Sequence, residues 1–82
     1  MKVTSIELLA KAMKQARKEQ QLSQAAAADR IGIKQATVSA FENHPDGSRL
    51  NTLFKLLAAL ELELHITKRG DPADKNQWDQ EW

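Results

Sequence analysis

Gln35, Ala36 and Ser39 are the residues of this 82-residue sequence whose types and spacing point most directly to a chemistry. At 100° per residue they share one helical arc with Ala40 and Asn43, while Val38 and Phe41 point the other way. The arc is short, polar and uncharged, as suits a surface that slips into a groove about 12 Å wide. Gln35 can meet an adenine edge with two hydrogen bonds, Ala36 can touch a thymine methyl, and Ser39 is a further candidate base contact on the same arc. Lys34 precedes them at a helix N-cap, where Ser or Thr is preferred. A residue that breaks a local rule often marks function. Lys34 is therefore read as a donor to guanine O6/N7 or to a phosphate, against the plainer reading of a surface lysine. Ser23, Thr37 and Asn43 are candidate phosphate contacts, which would position the protein without specifying sequence.

Four helices are expected to place these side chains. Thr4 to Glu7 reads as a capping box with Val3 and Leu8 at staple spacing, opening a helix that runs to about Gln20. Its inner face is Leu9, Met13 and Ala16, with Ala12 beside them. Ser23 caps a second helix from Gln24 to Ile31, rich in alanine, and Gly32 supplies the left-handed residue that ends it. Ile33 leads into a third helix from about Gln35 to Asn43, with Val38 and Phe41 in the core. Residues 43–47 read as a loop, and a fourth helix from Leu50 to Leu60 carries Leu50, Leu53, Phe54, Leu57 and Leu60 as its apolar stripe.

The pattern then changes. Leu62, Leu64 and Ile66 alternate with polar residues, the period of a half-buried strand, and no other segment reads so. A lone strand needs a partner for its backbone, and the simplest is the same strand of a second subunit; the competing reading is a longer fourth helix. From Gly70 onward aliphatic side chains nearly vanish, so residues 70–82 are expected to be a disordered acidic tail. That tail holds both tryptophans, Trp78 and Trp82, and Trp82 is a candidate anchor for a protein partner rather than an idle chain end. Residues 1–60 carry nine Lys/Arg against five Asp/Glu, a balance of +4, and residues 61–82 carry three against six, a balance of −3. A basic body and an acidic tail suggest two different partners. Without cysteine there is no disulfide or thiolate zinc site, and with no membrane-length apolar run or signal peptide a cytoplasmic protein is expected.

Leu22-Ser23-Gln24, Ala28, Ile31-Gly32-Ile33, Val38 and Phe41-Glu42 together resemble the lambda-repressor/Cro-like helix-turn-helix family over roughly residues 6–60. In that family the second of the paired helices enters the major groove. The resemblance implies that Gln24 clamps a phosphate and braces the first reading residue, and that Arg17 and Glu42 form an ion pair between helices 1 and 3. Ala27 departs from the larger aliphatic residue usual there, which bears on packing density. The run from Gly32 to Ser39, with Phe41-Glu42-Asn43, Pro45-Asp46, Leu60-Glu61-Leu62 and the final Glu81-Trp82, resembles HipB-type antitoxins over nearly the whole chain. This implies a homodimer with C-terminal strands paired across the dyad, repression of its own operon, and neutralisation of a HipA-like serine/threonine kinase toxin.

The expected fold is thus mainly α, a four-helix helix-turn-helix domain over 1–60, a dimerising strand within 61–69 and the tail over 70–82. An enzyme is disfavoured: His44 and His65 are the only histidines, neither lies near a ligand cluster, and no phosphate-binding or nucleophile motif is present. Neither a cofactor nor a metal is expected. A stand-alone, phage-like regulator shares the first sixty residues, and the strand and tryptophan tail favour the antitoxin. A pure protein-interaction module is disfavoured by Gln24, Lys34, Gln35 and Ser39.

Overall fold

The computed structural model describes residues 2–69, and the expected tail with Trp78 and Trp82 lies outside them. Helices α1 (Ile6–Glu19), α2 (Gln24–Ile31), α3 (Gln35–Asn43) and α4 (Leu50–Ala59) follow one another, with a single 3-10 turn at Pro45–Gly47 between the last two. Helix α1 starts one residue later than the capping box implies. Ser5 is the N-cap, its Oγ accepting from the Leu8 amide at 3.1 Å, so Leu8 and not Glu7 occupies the third helical position. No Thr4–Glu7 box closes, and Val3 and Leu8 stay exposed rather than stapled. Ser23 caps α2 in the same way, accepting from the Ala26 amide at 3.0 Å.

Three helices end alike. After α1, α2 and α4 the chain passes through a left-handed residue, Gln21 (φ 59), Gly32 (φ 67) and Glu61 (φ 57). The next amide then reaches back five residues: Leu22 to the Arg17 carbonyl at 3.1 Å, Ile33 to Ala28 at 3.1 Å, Leu62 to Leu57 at 2.8 Å. Such a motif satisfies carbonyls that the helix leaves open. The end of α4 is held further by two side chains from elsewhere in the fold. Arg30 of α2 donates to the Ala59 carbonyl at 2.9 Å, and Gln20, just after α1, donates to the Leu60 carbonyl at 2.8 Å. A cation at a helix C-terminus also complements its dipole.

The core is built from Ala10, Met13, Ala28, Val38, Phe41, Leu53, Leu56, Leu57 and Leu60, with Leu9, Leu22, Ile31 and Ile33 packed at its margin. Helix α4 departs from the expected stripe. It buries the Leu53–Leu56–Leu57–Leu60 face and leaves Leu50 74% and Phe54 54% exposed. Its apolar residues occupy more than one side, so period alone does not choose the buried side. Ala27 is fully buried, and with Met13, Arg17, Val38, Phe41, Glu42, Leu56 and Leu60 it lines a void of about 10 Å³. The small side chain leaves a gap no larger than a water molecule. Residues 62–68 are neither helical nor paired within the single chain, and the turn at Glu61 excludes a longer α4.

Candidate nucleic-acid interface

The start of α3 is organised from the inside outward by one chain of hydrogen bonds. Arg17 on α1 donates to both carboxylate oxygens of Glu42 on α3, Nε to Oε2 at 2.7 Å and Nη2 to Oε1 at 3.0 Å. Its third group, Nη1, donates to the Leu22 carbonyl at 2.7 Å. The side chains are only 9% and 4% exposed, so this is a buried, two-pronged ion pair. Gln24 then donates through Nε2 to Glu42 Oε1 at 3.0 Å, and its own Oε1 accepts from Gln35 Nε2 at 2.6 Å. A glutamine amide has two N–H groups and one carbonyl. Gln35 therefore keeps one N–H and its carbonyl free at the exposed start of α3, the pair that an adenine edge requires.

The electrostatics follow from that geometry. Burial alone would push the Glu42 carboxyl up. The hydrogen bonds from Arg17 and Gln24, with the positive charges of Arg17 and Lys14, more than reverse this, and its pKa lies below the ordinary value. The hydrogen bond to Glu42 raises the Arg17 guanidinium above its ordinary value, against desolvation and aided by charge attraction. Among the described residues no buried side-chain nitrogen or oxygen is left without a partner.

Ala36 is exposed and Ser39 half-buried on the outer arc of α3, and Lys34 stands exposed at its N-cap. Asn43 does not point freely outward: its Nδ2 donates to the Ser39 carbonyl at 3.0 Å and to Ser39 Oγ at 3.2 Å. The two residues form one polar unit, with the Asn43 carbonyl left over. Ser23 accepts as a cap yet keeps its hydroxyl hydrogen, and Thr37 is half-buried.

Sequence reasoning missed the other wall of this surface. Ala36, Thr37 and Ala40 face Gly47, Ser48, Arg49 and Thr52 across an open groove of about 300 Å³. Arg49 is the N-cap of α4 and, like Lys34 at α3, makes no side-chain cap bond. Thus α1 and α2 begin with capping serines, while both helices flanking the groove begin with a cation at the positive end of the helix dipole. That arrangement costs about 0.3–1 kcal/mol per end unless an anion offsets it. The first amides of a helix are open donors, so each end offers N–H groups and a positive charge together. The signal was present in the sequence, since Arg49 breaks the capping rule as Lys34 does.

A helix-turn-helix family model matches residues 13–66. Antitoxin HipB of Escherichia coli O6:H1 (strain CFT073) is 45% identical over 83 aligned positions, covering 99% of this chain and 88% of that protein. The HipB of Escherichia coli K12 is 43% identical, with 99% and 94% covered. The chain belongs to the HipB family of helix-turn-helix antitoxins. Its fold agrees with a HipB solved in a HipA-HipB-O2-O3 complex, with a TM-score of 0.82 at 45% identity over 84% of this chain and 97% of that one. As a HipB-family chain, it holds no cluster of three His, Asp or Glu side chains among the described residues, and none of its described helices is long and apolar enough to cross a membrane.

Proposed function

We propose that this chain is a DNA-binding antitoxin, a homodimer that represses its own operon from a palindromic site and neutralises a HipA-type kinase in the cytoplasm. The observation that carries the DNA reading is the Arg17–Glu42–Gln24–Gln35 chain, which ends on a prepositioned amide beside a groove with a cation at each helix start. Lys34, Gln35, Ala36 and Ser39 then read base edges, while Ser23, Gln24 and Thr37 hold phosphates; Asn43 joins them only by turning its amide away from Ser39, which now takes both of its donations. Ser48, Arg49 and the open amides of α4 add a phosphate clamp on the far wall. Residues 1–60 form the DNA-binding domain and residues 61–69 hold the dimerising strand, through Leu62, Leu64 and Ile66. Leu64 and Ile66, 47% and 68% exposed, support that strand because a second copy would cover them.

The toxin partner is supported by the HipB relatives, one of which is solved with HipA. Trp82, at the end of the acidic tail over 70–82, is the proposed anchor for it. Full-length similarity favours this over a stand-alone regulator, which would share only the helix-turn-helix.

Gel shifts on the palindromic duplex test the DNA reading. Gln35→Ala should cost about 1–3 kcal/mol and relax preference at one base pair per half-site. Unchanged affinity and base preference would remove the reading face. Deleting residues 71–82 should leave operator binding intact and weaken the kinase complex by about 2 kcal/mol; equal kinase affinities would remove the anchor.

A further inference from the structure

Residues 62–66 show a gradient. Leu62, tied back to Leu57 by the turn at Glu61, is 36% exposed, Leu64 is 47% and Ile66 is 68%. Each step away from the domain uncovers more apolar surface. Glu63 and His65 lie on one side, His65 Nε2 meeting Glu63 Oε2 at 2.9 Å within the chain. The segment therefore presents an apolar row of three and a polar row with a carboxylate and an imidazole that attract one another.

From these two rows we infer that two copies pair antiparallel about a dyad through Leu64, so that Leu64 meets the same residue of its partner. This rests on the proposed intersubunit strand and fixes its register. Directly opposed residues in an antiparallel pair share a face, so any register offset by an odd number sets apolar against polar. The even registers differ in charge and cover. A dyad at 63 would oppose the two Glu63 carboxylates and leave Ile66 opposite the end of α4. A dyad at 65 would oppose the two imidazoles and set Leu62 against Lys68. A dyad at 64 pairs Leu62 with Ile66 twice, Leu64 with itself, and Glu63 with His65 twice. Opposite charges or hydrogen-bonding partners in such pairs stabilise, and like charges opposed destabilise. The same register lays the most exposed side chain of one arm beside the best-sheltered one of the other.

The chain has no cysteine, which makes single-cysteine variants clean reporters. Opposed Cα atoms lie about 4.5–5.5 Å apart, within the span of a disulfide. Residues one step off the dyad stand diagonally, about 7–8 Å from their own copies, beyond that span. The full-length variants Leu64→Cys, Glu63→Cys and His65→Cys are oxidised mildly with copper phenanthroline and run without reductant. Leu64→Cys should gain a band at twice the chain mass. Glu63→Cys and His65→Cys should do so only when the two are mixed, and this mixture keeps the test open if Leu64→Cys weakens the dimer. Self-linking of Glu63→Cys or His65→Cys alone overturns the register while keeping the paired strand. No linking in any arm, with sedimentation still reporting a dimer, overturns the register and the strand together.

Discussion

The two ends of the helix-turn-helix unit are built on opposite principles. Around Arg17 and Glu42 every polar atom is engaged and buried, and nothing outside the chain is needed to complete it. Beyond Glu61, residues 62–69 are exposed throughout and make no ladder of their own. The first region is finished by folding. The second leaves donors, acceptors and leucines uncovered, as the proposed dimer strand requires. Lesions in the first should therefore read out as lost stability, and lesions in the second as lost assembly at unchanged monomer stability.

Glu42→Ala is the harshest way to test that contrast. It leaves Arg17, 8% exposed, without its counter-ion, and breaking a buried pair in this manner costs about 3–5 kcal/mol. Urea unfolding should register a loss of that order, comparable with the whole stability of a small domain. Replacing both partners, Arg17→Met with Glu42→Leu, should recover most of it while operator affinity stays low, because Gln24 loses its anchor. A small loss for Glu42→Ala would show that the buried end is not what holds the unit.

Leu64→Pro should do the reverse. Proline removes a ladder donor and is not tolerated in a paired position. Dimer dissociation measured by sedimentation should rise at least about tenfold, or about 1.4 kcal/mol. The helical signal and unfolding midpoint of the dilute monomer should stay put. An unaltered dimer would place the interface elsewhere.

Glycine substitution sharpens the comparison at equal chemistry. Gln21 and Glu61 both hold the left-handed conformation that glycine adopts without cost. Gln21→Gly should raise stability by about 1 kcal/mol and leave operator affinity unchanged. Glu61→Gly should stabilise similarly yet weaken the dimer, because it frees the direction in which the arm leaves α4. Identical operator titrations for the two would deny that difference.

Acid gives the mildest probe. The folded-state pKa of Glu42 lies below its unfolded value, so its contribution is fully present above the ordinary carboxylate range and is lost as pH falls through the folded pKa. The raised Arg17 pKa adds stability at every pH below the ordinary arginine range. Thermal melts should be nearly flat between pH 7 and 5.5 for this pair and fall only in stronger acid. Glu42→Gln should lose that acid limb.

Much of the helix-turn-helix was legible because its signals are local. Ser23, the alanine run and Gly32 delimit α2, and the spacing of Val38 and Phe41 orients α3. The cap of α1 was misplaced by one residue because Thr4 and Ser5 both suit it, and only backbone direction decides between them. Leu50 and Phe54 belong to the apolar stripe read from the sequence yet stay exposed, because α4 is apolar on several sides and which side is buried depends on α2. Arg49 and Ser48 escaped notice because their meaning is tertiary. Nothing local says that the start of α4 faces α3 across a groove.

The clamp on the end of α4 has a metrical consequence. Arg30 of α2 and Gln20, the residue that ends α1, fix the Ala59 and Leu60 carbonyls just before the arm departs. The arm thus leaves the body at a set angle, and in the proposed dimer that angle fixes how far apart the two α3 helices stand. Half-sites on a duplex recur at about 34 Å per turn, and a protein spanning two of them must match that interval. Gln20 and Arg30 are not among the proposed DNA contacts, yet in that dimer they would graduate the ruler by which the operator is measured.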